Sequence, residues 1–217
     1  MTASTSPTTA SPKRQTTGLV DEEIAINYNE TTEGNRMTEQ LCYYILTGAM
    51  GSGKSTIIEC LLKNGTVCVS EPAREILREQ KSIKADGVPE INPDLFTKLM
   101  LSRSIHNYKQ NITTKTPVIF DRGIPDMIAY ADLFRLDTKI YCNASEYYKY
   151  NNTVLLLNGW EDIYTTDDER KMTFEQANNF GNKAAEIYHK LGYNIIEVPK
   201  TNIEDRIKFI ENIILNK

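Results

Sequence analysis

No stretch of this chain approaches the roughly 18–20 consecutive apolar residues needed to cross a bilayer, and the N-terminus has no apolar signal-peptide core. Basic charge is not in excess either. The formal net charge is −4, which argues against a dedicated nucleic-acid binder, since such proteins need a basic face for the phosphate backbone. The four cysteines, Cys42, Cys60, Cys68 and Cys142, form no CxxC pair. They read as free thiols in a reducing cytoplasm, with neither a disulfide framework nor a metal site. No internal repeat is present. Residues 1 to about 37 are poor in periodic apolar side chains and rich in Ser, Thr, Pro and acidic residues. Such a segment cannot bury enough surface to offset its ordering entropy, so it reads as a disordered tail. Residues 38–217 then read as a single domain, with Met37 at its edge as an alternative start.

From there strands and helices alternate. Apolar runs at Leu41 to Thr47, Thr66 to Ser70, Pro117 to Asp121, Thr153 to Leu157 and Asn194 to Val198 read as five strands. Their nearly continuous apolar character is what a parallel sheet covered on both faces requires. Helical patterns fall at Lys54 to Lys63, from Pro72 to about Gln80, and from Pro93, where Leu101, Ile105, Tyr108 and Ile112 recur on one face. Thr173 with Gln176 forms a capping-box pattern for a helix reaching Leu191. Thr201 with Glu204 offers the same for the last helix, whose Ile203, Ile207, Ile210 and Ile214 make an apolar stripe. The fold expected is a doubly wound, three-layer α/β domain.

Chemistry concentrates at the ends of the strands. The segment Gly48-Ala49-Met50-Gly51-Ser52-Gly53-Lys54-Ser55-Thr56 matches GxxxxGK[ST] between a strand and a helix. Glycines there let backbone N–H groups converge on phosphate oxygens at a helix N-terminus. Lys54 supplies a cation to the β- and γ-phosphates, and Ser55 offers a hydroxyl to Mg²⁺. A nucleoside triphosphate, ATP or GTP, is the expected ligand. Asp121 closes an apolar strand, as a Mg²⁺-binding acid does. Glu71 stands at the next strand end, where a carboxylate can take a proton from an attacking hydroxyl. Arg74 and Arg78, four residues apart on one helical face, and Arg122 add cations on the acceptor side. Between the fourth strand and the capped helix, Trp160 to Met172 is polar and charged, and Arg170 and Lys171 are the candidate lid cations.

The blocks GAMGSGKST, VSEPAREI, VIFDRGIPDMIAYA and VLLLNGWEDIYTTDDER resemble, in that order, the NadR-like AAA domain family. That family includes the kinase domain of bifunctional NAD-regulator proteins and stand-alone ATP/GTP-binding proteins. The resemblance implies a nucleotide-kinase-like P-loop NTPase fold with strand order 2-3-1-4-5. It implies ATP or GTP with Mg²⁺, and phosphoryl transfer to a small nucleoside-like or other hydroxylated acceptor. It carries Lys54 and Ser55 over as phosphate and Mg²⁺ ligands, Asp121 as their acidic partner, Arg122 and Asp126 as acceptor-side residues, and Arg170 as the lid arginine. Asn182-Lys183-Ala184-Ala185 lacks the aspartate of a guanine-reading NKxD motif, which weakly favours ATP. The alternative function is a nucleotide-dependent regulatory binding module or a slow NTPase without an acceptor.

Overall fold

A computed structural model describes Met1, residues 40–165 and residues 172–215. The tail and Met37 expectations fall on residues outside these, as do the lid candidates Arg170 and Lys171. Five parallel strands, β1 (Tyr43–Gly48), β2 (Val67–Val69), β3 (Val118–Asp121), β4 (Thr153–Leu157) and β5 (Asn194–Glu197), lie in the order β2-β3-β1-β4-β5. This is the expected 2-3-1-4-5 arrangement. Around them run α1 (Lys54–Lys63), α2 (Ala73–Ser82), α3 (Pro93–Gln110), α4 (Asp126–Leu133), α5 (Lys139–Tyr147), α6 (Phe174–Lys190) and α7 (Ile203–Leu215).

The continuous apolar strands build two cores because successive side chains alternate between the faces. Tyr44, Leu46, Ile119, Leu155 and Leu157 face one side, where they meet Ile57 and Leu61 of α1 and Ile207, Ile210 and Ile214 of α7. Tyr43, Ile45, Val118, Phe120 and Val154 face the other side, against Tyr108 of α3 and Tyr188 of α6. A third cluster joins Phe96 and Met100 of α3, Met127 and Tyr130 of α4, Tyr141 of α5 and Phe180 of α6 behind that layer.

Three local expectations change. The last helix is capped one residue later than the Thr201–Glu204 pattern suggested. Asn202 Oδ1 accepts from Asp205 N at 3.0 Å while Asn202 Nδ2 donates to Asp205 Oδ2 at 2.7 Å. Ile112 lies past the end of α3 and is exposed. Helices α4 and α5, on which the strand-and-helix reading was silent, fill the connection from β3 to β4. The capping box at Thr173 and Gln176 is present as expected.

The register sets the site. Leu46 of β1 pairs with Asp121 of β3, and Gly48 pairs with Leu157 of β4. The glycine loop therefore leaves the sheet at its carboxyl edge between these two strands. Gly48 has φ 127°, and a Cβ there would lie 2.0 Å from the Leu157 carbonyl oxygen. Gly48→Ala should destabilise the fold by about 3 kcal/mol or more, read from denaturant midpoints. Gly65→Ala, also at positive φ but with nothing within 4 Å of the added carbon, should cost only about 1–2 kcal/mol. Equal losses would contradict the close approach.

Candidate functional site

The loop from Gly48 to Thr56 is turned so that its carbonyls meet cations. Lys54 Nζ donates to the Ala49 carbonyl at 2.6 Å, with longer contacts to Gly48 O (3.5 Å) and Ser52 Oγ (3.4 Å). Arg122 Nη1 donates to Gly48 O at 3.1 Å, and Arg206 Nη2 of α7 donates to Ser52 O at 3.0 Å. Gly51 and Gly53 take positive φ, 76° and 90°, which permits this turning. Among the described residues, no protein group accepts from the backbone N–H of residues 50–56. A run of amides without acceptors at the start of α1 is an anion cradle.

Beyond the loop opens a cleft of about 1170 Å³. Met50, Gly51, Gly53, Lys54, Ser55, Thr56, Glu71, Arg74, Arg78, Asp121 and Arg122 all line it. Gly48, Ala49 and Ser52 do not. Ala49 and Ser52 are buried, and the Ser52 hydroxyl donates back to Ala49 O at 2.8 Å, so these residues shape the loop from beneath.

Buried charges surround it. Burial and the neighbouring Arg122 push the Lys54 amine down to about 7, against the pull of Asp121, Glu71 and Asp126. Burial and nearby Glu71 push Asp121 up to about 6, opposed by Lys54 and Arg122. Asp121 Oδ1 is buried and has no hydrogen-bond partner, an expensive state for a carboxylate oxygen. Glu71 accepts from the Tyr130 hydroxyl at 2.6 Å and lies 3.0 Å from Arg122 Nε. That second contact is an ion pair outside hydrogen-bonding direction, since Nε has no hydrogen-bond partner. The Arg122 guanidinium sits 4.9 Å from the centre of the Phe180 ring and 6.0 Å from that of Tyr130. Burial works against its charge, but Glu71 and the other acids outweigh it and hold Arg122 above the ordinary arginine range. Its backbone is left-handed at φ 66°, a conformation costing a bulky residue about 1–2 kcal/mol. Strain of this kind clusters at functional sites.

Asp126 occupies a place other than the one the family resemblance implies. Expected on the acceptor side, it is completely buried and does not line the cleft. Its Oδ1 accepts from Thr47 Oγ1 at 2.5 Å and Arg122 Nη1 at 3.1 Å. Its Oδ2 accepts from Tyr188 OH at 2.5 Å and Gly123 N at 2.9 Å. With four donors in place, its oxygens are committed to the protein, and it anchors Arg122 to β1 and α6. Asn182 and Lys183 lie in mid-helix on α6, where Lys183 pairs with Asp132 at 3.2 Å, so that segment forms no base-reading loop.

Two site residues escaped the sequence reading. Arg206 is buried against the loop, and its guanidinium lies 5.6 Å from the centre of the Trp160 ring. Its spacing of three from Ile203 and four from Ile210 puts it on the apolar stripe of α7, and a cation in such a stripe is the signal that was available. Tyr130, one turn beyond Asp126 in α4, orients Glu71.

Loop, strand ends and cleft define a P-loop NTPase fold, that of nucleoside and nucleotide kinases. A family model described as an AAA domain matches residues 43–206, well over half of the chain, and the chain belongs to that family. A deoxyadenosine kinase from M. mycoides, solved with dCMP and a flexible dCDP, superposes with a TM-score of 0.60 at 20% identity, covering 81% of this chain and 100% of that one. A NadR protein in complex with NR gives a TM-score of 0.60 at 15% identity over 82% of this chain and 52% of that one. Thymidylate kinase from Ehrlichia chaffeensis gives 0.53 at 18% identity, covering 79% and 97%. No curated protein sequence matches the chain.

Asp126→Ala strands Thr47, Tyr188 and the buried Arg122 together and should cost about 3–5 kcal/mol in denaturant unfolding. Tyr188→Phe, which removes one donor, should cost about 1–2 kcal/mol. Near-equal stabilities of Asp126→Ala and the parent chain would disprove the anchoring role.

Proposed function

We propose that the chain is a Mg²⁺-dependent phosphotransferase that moves the γ-phosphoryl group of ATP or GTP to a hydroxyl of a small, nucleoside-like acceptor. The observation that carries this reading is the pair of carboxylates, Glu71 and Asp121, at neighbouring strand ends within the cleft that the phosphate loop also lines. Strands β2 and β3 lie on one side of β1, while β4 and β5 lie on the other. The cleft therefore extends from the loop in two directions, one bounded by α2 and α4, the other by Trp160 and α7.

The residues present suit a Mg²⁺ ion. Asp121 Oδ1 is a buried carboxylate oxygen without a partner, and Ser55 stands at the start of α1 in the same cleft. No group of three metal-ligating side chains occurs among the described residues, and Mg²⁺ needs none, since it is bound through one or two carboxylates with substrate phosphates and water. When bound, the ion supplies charge neutralisation to the phosphate oxygens. The chain supplies the rest. The amides of residues 50–56 bind phosphate oxygens, and Lys54 adds a cation beside them. Glu71, partly exposed and oriented by Tyr130, takes the proton as the acceptor oxygen bonds to phosphorus. The bond from that phosphorus to the bridging oxygen breaks, and the nucleoside diphosphate leaves.

Lys54→Met should weaken triphosphate binding by about tenfold or more. Glu71→Gln should leave triphosphate affinity within about threefold and lower kcat by about 10²–10⁴, in an assay following nucleoside diphosphate release with a panel of acceptors. Normal turnover by Glu71→Gln would remove it as the base. The shifted groups also predict a pH dependence. With its pKa near 7, Lys54 is mostly neutral at about pH 8, and an adjacent phosphate favours its charged form. Triphosphate binding at that pH should take up a proton, measured by calorimetry in buffers of different ionisation enthalpy. The uptake should vanish below about pH 6 and in Lys54→Met. Asp121, at about 6 in the metal-free chain, loses its charge as pH falls through that value, so the Mg²⁺ concentration needed for half-maximal activity should rise there.

A further inference from the structure

The arm of the cleft beside β2 holds more positive charge than transfer of a phosphoryl group to a neutral acceptor uses. Helix α2 sorts its charges into two stripes. Glu75 and Glu79, four residues apart, are both taken by Arg103 of α3. Its Nη1 lies 3.0 Å from Glu75 Oε2, and its Nη2 lies 3.1 Å from Glu79 Oε2. Arg74, Arg78 and Lys81, at i, i+4 and i+7, form the other stripe, and all three line the cleft. Among the described residues, neither Arg78 nor Lys81 has an ion-pair partner. Of the carboxylates on α2 and the strand end before it, Glu75 is held by Arg103 and Glu71 by Arg122 and Tyr130. Among the described residues lining the cleft, Glu90 follows α2, while Asp121 and Glu59 lie on β3 and α1.

The same arm carries an aromatic wall. Phe96, Tyr130 and Phe134 line it, and the Tyr130 and Phe134 rings stack with centroids 6.4 Å apart and planes 25° from parallel. Such a wall suits a flat ring. Glu71, the proton acceptor, lies just before the N-terminus of α2, whereas Arg78 and Lys81 lie two turns along it. A rise of 1.5 Å per residue puts their backbones about 10 and 15 Å along the axis from Glu71, and side chains tilting back towards the helix start bring their charges to about 7–12 Å from it.

Resting on the phosphoryl-transfer reading above, we propose that the acceptor is a planar-ringed compound with a free hydroxyl at Glu71 and a separate phosphate monoester held by Arg78 and Lys81. A phosphate is favoured over a carboxylate because one bidentate arginine satisfies a carboxylate, whereas a dianion uses both Arg78 and Lys81.

The test compares nucleosides, their 3′-monophosphates and their 5′-monophosphates across the four bases, in both turnover and binding. Binding is measured by calorimetry on the full chain with Mg²⁺ and a non-hydrolysable ATP analogue. The expected result is that 3′-monophosphates bind at least about tenfold more tightly than the matching nucleosides. In Arg78→Gln/Lys81→Gln that preference should disappear, with nucleoside and ATP-analogue affinities unchanged. Lys63→Gln/Lys208→Gln, which removes two exposed charges outside the cleft, should keep the preference. Equal binding of nucleoside and 3′-monophosphate overturns the proposal, as does a preference that survives Arg78→Gln/Lys81→Gln. A 5′-monophosphate bound more tightly than its 3′ isomer also overturns it, because the stripe then serves the reacting end. Tight, stripe-dependent 3′-monophosphate binding without turnover of any compound would uphold the anion site and sink the phosphotransferase reading. Turnover of nucleosides without a phosphate preference would do the reverse.

Discussion

The backbone of the Gly48–Thr56 loop can present its amides outward only because its carbonyls are held from behind. Three buried or nearly buried cations do this: Lys54 at Ala49 O, Arg122 at Gly48 O and Arg206 at Ser52 O. They come from α1, from the end of β3 and from α7, so a loop of nine residues is fixed by elements from across the domain. The positive φ values of Gly51 and Gly53 make the turn accessible, but glycine alone would leave the loop many conformations. The guanidinium groups select one of them. Hydrogen bonds from charged donors to carbonyls in a site shielded from water are among the stronger ones available to a protein.

Placing cations there creates a second requirement, because buried charge needs compensation. Arg122 is met by Asp126 on one side and Glu71 on the other, with aromatic rings of Phe180 and Tyr130 nearby. Asp126 in turn is satisfied by Thr47, Tyr188 and Gly123 N. Burial keeps the tyrosine hydroxyls protonated: Tyr130 and Tyr188 are both raised well above the ordinary phenol value, mainly by desolvation and then by Glu71 and Asp126 respectively. The network thus links the residue before the phosphate loop to the carboxylate assigned as base. Lys54 and Asp121 stay poised near neutrality for the same reason, since burial disfavours the charge on each. A phosphate and a divalent cation are the partners that would reverse both shifts.

How much of this was legible in the sequence depends on the range of the interaction that encodes it. The phosphate loop, the five apolar strands and the acids at Glu71 and Asp121 are local signals, written in consecutive residues and in the alternation of strand and helix. The structure puts those two acids in one cleft because β2 and β3 are neighbours with matched register. The strand order itself entered through family resemblance and not through periodicity. The acceptor-side place of Asp126 came from the family resemblance, and nothing local corrects it, because a carboxylate aimed into solvent looks the same in sequence as one aimed at Tyr188, 62 residues away. Arg206 was passed over because the helix around it reads as an ordinary apolar stripe. Its role depends on a contact with Ser52 across 154 residues. Long-range pairings of single polar side chains are what a hydropathy pattern does not carry.

The most direct measurement of the central claim is the amide NMR spectrum of residues 50–56 during titration with a Mg²⁺-loaded, non-hydrolysable ATP analogue. The account predicts that amide protons of this run, led by Gly51, Gly53 and Lys54, move downfield as they acquire phosphate acceptors. The shifts should saturate together with the calorimetric binding curve. Saturable nucleotide binding that leaves these amides unmoved, with shifts confined to other parts of the chain, would contradict it.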